Sequence, residues 1–115
     1  LAEAEDINLA VDAARSAFSF YPQTGKQRRL ELLHNIIEQY QLRHTDLVDA
    51  VCSELGAPIS LAQAAQVGSG LKHLKTYKQV LTQHSFSSQL GDTHIEKEAI
   101  GVCGLITPWN WPLNA

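Results

Sequence analysis

The chain has 115 residues, 44% hydrophobic and 18% charged, with nine basic against twelve acidic side chains and a formal net charge of -3. That balance suits one soluble domain and argues against a dedicated nucleic-acid or anionic-membrane binder, because such proteins cluster their cations and the nine here are scattered. No apolar run approaches the roughly 18 residues that span a bilayer and no leader-like segment opens the chain, so no membrane contact and a cytoplasmic location are expected. Cys52 and Cys103 lack a CxxC partner or a histidine at ligand spacing, so no metal site is expected and both read as buried thiols.

In chain order, Ile7, Ala10, Val11, Ala14, Ala17 and Phe18 recur at spacings of three and four and predict a helix from about Asp6, as N-cap, to Phe20. Tyr21-Pro22 ends it, since the residue before a proline is pushed out of the helical region. Thr24-Gly25-Lys26-Gln27 has the form of a capping box for a second helix with Leu30, Leu33, Ile37 and Tyr40 on its apolar face, widened by Leu32 and Ile36. The stripe resumes at Leu47, Val48, Val51 and Leu55 after Thr45, a residue able to recap a third helix, which leaves one kinked helix or two as alternatives. Gly56-Ala57-Pro58 pairs a helix C-terminal glycine with a proline suited to the next first turn, and a short alanine-rich helix follows from Pro58 to about Val67. Gly68-Ser69-Gly70 reads as a loose junction, and Leu71, Leu74, Tyr77 and Leu81 mark a last helix to about Gln83.

From His84 the pattern changes. Phe86 to Gln89 and Thr93 to Glu98 flank Leu90-Gly91-Asp92 and predict a hairpin whose strands are polar on both sides, so it gains little from its own packing and suits a contact with another domain or subunit. On one strand face His94 and Glu96 read as a surface pair. Ile100-Gly101-Val102-Cys103-Gly104-Leu105-Ile106 is uncharged and bounded by a proline, as expected of a strand buried on both faces of a parallel sheet. Nothing else here supplies that sheet, and with its start at Leu1 and its end just after a site-like motif the chain reads as a fragment.

That motif is Thr107-Pro108-Trp109-Asn110-Trp111-Pro112. In open α/β sheets ligands bind outside the carboxyl ends of the strands, where this loop falls. Two prolines stiffen it around Asn110, a neutral side chain with two N–H donors that does not titrate. A fixed donor aimed where negative charge develops is what an oxyanion hole requires, and each such donor is worth roughly 3 to 4 kcal/mol. The plainer reading, a Trp/Pro turn packed under a sheet, stands on equal terms from these residues alone.

The run from Ile100 through Leu113 resembles the signature strand and loop of the NAD(P)-dependent aldehyde dehydrogenase superfamily, and Asp6 to Phe20, Arg29-Leu30-Glu31-Leu32-Leu33, Glu54-Leu55-Gly56-Ala57-Pro58 and Glu98-Ala99-Ile100-Gly101-Val102 resemble that family's earlier segments in order. Ala57 stands where many members have lysine, and Ala99 where many have proline. The resemblance implies an α/β fold: residues 1–84 as the helical part of a Rossmann-type cofactor domain, 85–99 as a β-hairpin oligomerisation arm, and 100–115 as the first buried parallel strand and active-site loop of a truncated domain. It implies oxidation of an aldehyde to a carboxylic acid with NAD or NADP, through a cysteine thiohemiacetal and thioester. Asn110 matches the side-chain donor to the oxyanion, and Ile106, Thr107, Pro108, Trp109 and Asn110 match the loop lining the cofactor cleft. Neither cysteine matches the nucleophile, which with the general base falls beyond Ala115, so the fragment is expected to be inactive and the full-length enzyme to be a homo-oligomer, dimer or tetramer. Glu54 matches a position that joins a monovalent-cation site in some members, a role not assigned to it here. The alternative from another class is a non-catalytic helical interaction or oligomerisation module.

Overall fold

The computed structural model describes residues 2–114. Its elements are α1 (Ala4–Phe18), a single 3₁₀ turn (Tyr21–Gln23), α2 (Lys26–Leu42), α3 (His44–Ala50), α4 (Ile59–Leu61), α5 (Val67–Gln83), β1 (Ser87–Leu90) and β2 (Thr93–Glu96). Wide π-type turns, Val51–Leu55 and Ala62–Gln66, follow α3 and α4. The chain forms two compact units, one from Lys26–Gln83 with the residues from Ile106 on, the other from the residues up to Gly25 with His84–Leu105.

In the first unit α2 and α5 run antiparallel. Lys26 Nζ, at the start of α2, donates to the carbonyl of Thr82 at the end of α5 (3.1 Å), placing a cation where helical carbonyls are left unpaired. At the opposite end Tyr40 Oη donates to the carbonyl of Val67, 2.8 Å away. Between these ties Leu33, Ile37 and Leu81 are buried, the helical stripe that the spacing predicts. The densest packing gathers Val48, Val51, Ala62 and Val67, with Tyr40, Leu47, Leu55 and Leu113 against them. The break between α2 and α3 falls at Arg43, whose φ of -100° and ψ of 21° leave the helical region, so there are two helices and Arg43, not Thr45, opens the second. Gly56, at φ 74°, ends that helical run in the left-handed conformation glycine tolerates, and its N–H returns to the carbonyl of Cys52.

Gly68-Ser69-Gly70 differs from expectation. Helical structure continues from Ile59 to Gln83 without a break, and both glycines lie inside α5. Glycine costs about 1 kcal/mol in a helix interior, but here Gly70 is buried and closely approached by its neighbours, so the small residues serve packing.

In the second unit α1 has Glu3 as its N-cap, three residues ahead of the predicted Asp6, and ends at Phe18. Asp6 sits in its first turn and accepts the Glu3 backbone N–H (2.8 Å), so it serves a capping box from inside the helix and not as the N-cap. Thr24 donates its hydroxyl to the carbonyl of Tyr21 and closes the 3₁₀ turn ahead of α2. The predicted hairpin forms with different bounds: β1 and β2 pair antiparallel, Leu90 joins the first strand opposite Thr93 and the second ends at Glu96, and Gly91 takes φ 58° in a loop of two residues instead of three. Every residue of both strands is exposed.

The segment expected to be a buried parallel strand is the main correction. Residues 100–106 join no ladder among the described residues, and Ile100 and Leu105 are 94% and 82% exposed. A parallel strand draws all its hydrogen bonds and its burial from neighbours, and the hairpin is the one sheet among the described residues. The same cause corrects Cys103, which is exposed, while Cys52 is only half-buried at the edge of the helical core cluster.

Candidate functional site

The loop that begins at Ile106 lies in the same unit as α2 to α5. Pro108 and Pro112 fix two of its φ angles, a turn forms at Trp109-Asn110, and the Asn114 N–H closes onto the carbonyl of Trp111 at 3.1 Å. Three contacts seat it. Leu113 packs its side chain against the Val48, Val51, Ala62 and Val67 cluster. Its main chain passes over α5 so closely that a Cβ on Gly70 would lie 2.5 Å from the Leu113 carbonyl oxygen and 2.5 Å from Tyr40 Oη, so only glycine allows this approach. The third contact is polar: Gln66 Nε2 donates to the main-chain carbonyl of Asn110 (3.1 Å).

Gln66 closes the second π turn and is only 4% exposed, the one buried polar side chain among the described residues. Its Oε1 is buried without a partner among them. Tyr40, which holds the start of α5, is partly buried, and desolvation pushes its phenol pKa up from the ordinary 10.0.

The loop's outer face is open. Ile106 and Trp109 are exposed, and the Asn110 side chain is exposed and makes no hydrogen bond among the described residues. On the inner side Trp109, Pro112 and Leu113 face Val51, Glu54 and Leu55 across a cleft of about 310 Å³. The arrangement therefore anchors the backbone of Asn110 and leaves its amide free to donate outward, next to apolar surface. The residues singled out from the sequence, Ile106, Thr107, Pro108, Trp109 and Asn110, lie together in this loop. Sequence reasoning missed what seats them, Gln66, Gly70 and Tyr40. A trace was legible: Ala62, Gln66 and Gly70 are four apart, so a polar amide interrupts a stripe of small residues on one helix face.

Elsewhere, His94 contacts Glu96 (2.5 Å) and Gln89 (3.3 Å) on the exposed hairpin, a surface pair as expected. Among the described residues no three of His, Cys, Asp and Glu gather as metal ligands, and no helix is long and apolar enough to cross a membrane.

Comparison with known proteins extends the geometry. The model of the aldehyde dehydrogenase family matches residues 1–115. A 3-succinoylsemialdehyde-pyridine dehydrogenase of a Pseudomonas species is 43% identical over 111 residues, 96% of this chain and 23% of that protein. Among solved structures, an aldehyde dehydrogenase from Bartonella henselae superposes over 99% of this chain and 25% of its own, with a TM-score of 0.92 and 36% identity. A mutant of aldehyde dehydrogenase C from Pseudomonas syringae, solved with NAD+ and octanal, superposes over 96% of this chain and 23% of its own, with a TM-score of 0.91 and 41% identity. This chain thus spans about a quarter of the length of the proteins it matches.

Proposed function

The chain belongs to the aldehyde dehydrogenase family, and on that premise we propose that it forms the N-terminal part of an enzyme that oxidises an aldehyde to a carboxylic acid with NAD or NADP. Its own contribution is the Asn110 loop. A thiolate from beyond these residues adds to the aldehyde carbon, and the carbonyl electron pair moves onto the oxygen. The Asn110 side-chain amide donates to that oxyanion, which stabilises it relative to the neutral aldehyde. Because the amide does not titrate, the donor is available across the working pH range.

The observation that carries this reading is the division within one residue: the Asn110 carbonyl is tied to Gln66 while its side chain is exposed and unbonded among the described residues. Holding the backbone from which the donor projects reduces the reorganisation needed when charge develops. The cofactor fits the same surface by its chemistry. Ile106, Thr107, Pro108 and Trp109 carry no charge, and Ile106 and Trp109 present exposed apolar area suited to a flat heterocycle beside Asn110. When bound, the nicotinamide supplies the hydride acceptor. The NAD+ and octanal bound by the Pseudomonas syringae relative support this class of cofactor and substrate.

The hairpin is assigned to contacts with a second copy of the enzyme, a reading supported by the full exposure of both its strands.

The test is aldehyde-dependent formation of reduced nicotinamide, followed by absorbance, in the longer protein that contains this chain. Asn110→Ala should lower kcat about 100-fold or more. A change under threefold would refute the assignment.

A further inference from the structure

We propose that Gln66 is a positioning residue for the oxyanion donor, holding the Asn110 backbone so that the Asn110 side chain points in one direction. The inference rests on the role assigned to Asn110 above. Four observations support it. Gln66 is buried at 4% exposure, yet it reaches 44 residues along the chain to donate from Nε2 to the Asn110 carbonyl. Its Oε1 is left buried without a partner among the described residues, and a buried orphan acceptor carries a desolvation penalty that an apolar side chain of the same size avoids. Turning the amide over would set two oxygens against each other, so the donor orientation is the only one that serves the contact. The bond also meets the loop between its prolines, at the residue whose side chain faces out, while Leu113 is seated three residues on by packing over Gly70.

Without the Gln66 bond, Asn110 is held only from its neighbours. Leu113 and the two prolines still seat the loop, but the Asn110 peptide gains freedom to rotate and its side chain samples directions that miss the oxyanion. The loss then falls on the step in which charge develops and spares ground-state binding of the aldehyde.

The experiment uses the full-length enzyme with octanal and saturating NAD+, and compares wild type, Gln66→Met, Asn110→Ala and the double variant. Methionine keeps the length and volume of glutamine and removes both the donor and the orphan acceptor. The Gln66→Met enzyme should therefore melt within a few degrees of wild type, with kcat down about tenfold and KM for octanal within twofold. In the Asn110→Ala background the same substitution should change kcat less than twofold, because no side-chain donor remains to be aimed. Gln66→Leu, equally apolar, replaces Gln66→Met if that variant does not fold. The positioning role is overturned if Gln66→Met leaves kcat within twofold of wild type, if its effect falls on KM alone, or if it lowers kcat equally in both backgrounds. An Asn110→Ala change under threefold instead overturns the oxyanion reading itself, whatever the Gln66 variant does.

Discussion

All the buried side chains among the described residues lie in the unit built from Lys26–Gln83 and the loop from Ile106; the unit built from the residues up to Gly25 and His84–Leu105 has none. Both contain well-formed helix or strand, so regular structure and core are separable properties here. In the second unit short-range signals suffice to define elements: a capping contact for α1, a glycine in the left-handed region for the hairpin. In the first, contacts between residues far apart in sequence fix both the helices and the loop they carry. Substitutions in the first unit should thus act on the whole and those in the second should stay local.

That contrast can be tested in steps. The largest effect is expected at Gly70→Val. Its side chain must displace the Leu113 carbonyl and the Tyr40 hydroxyl together, costing about 3 kcal/mol and releasing the loop. Denaturant midpoint and Trp fluorescence should both change; an unaltered midpoint would dissolve the distinction between the units.

Tyr40→Phe is smaller, about 1 kcal/mol for the lost bond to the Val67 carbonyl. It also carries a pH signature. The folded phenol is raised above its ordinary 10.0 by desolvation, so the unfolded chain gives up that proton first. Its stabilising contribution is full below about pH 10 and is lost as pH rises from there through the folded value. The phenylalanine variant should lack that alkaline component in its stability profile, and an identical profile would contradict it.

The smallest effect is expected at Asp6→Ala. Loss of its contact with the Glu3 N–H removes about 1 kcal/mol or less from the first turn of α1. Amide exchange should quicken there with little change in the denaturant midpoint. A global loss would show that α1 supports a core after all.

How much was legible in advance follows the same division. Gly56, the stripe through Leu33 and Ile37, and a turn at Gly91 are local statements that appear where the spacing places them, while Pro58 stands just ahead of its helix, as the N-cap with ψ 139°, and not in the first turn. The loop from Ile106 to Leu113 was also visible as a motif. What holds it was legible only as a trace, the amide of Gln66 between Ala62 and Gly70 on one helix face, since the spacing marks the residue but not the partner it meets 44 residues on. Gly68-Ser69-Gly70 misled because glycine carries two opposite meanings, backbone freedom and close approach, and only the neighbours decide between them. The burial expected for residues 100–106 failed for a related reason, as apolar composition records a need for neighbours and does not supply them.

The chain leaves the helical unit after Gln83 and rejoins it at Ile106, which makes everything between a single excursion closed by the docking of the loop. Closing such an excursion costs entropy that grows only with the logarithm of its length, about 0.6 kcal/mol for each doubling. Hairpins of quite different size can therefore be spliced between these two points while Asn110 returns to the same seat. Folding should follow the same geometry: the helices, joined by short connections, assemble first, and the loop closes over them afterwards.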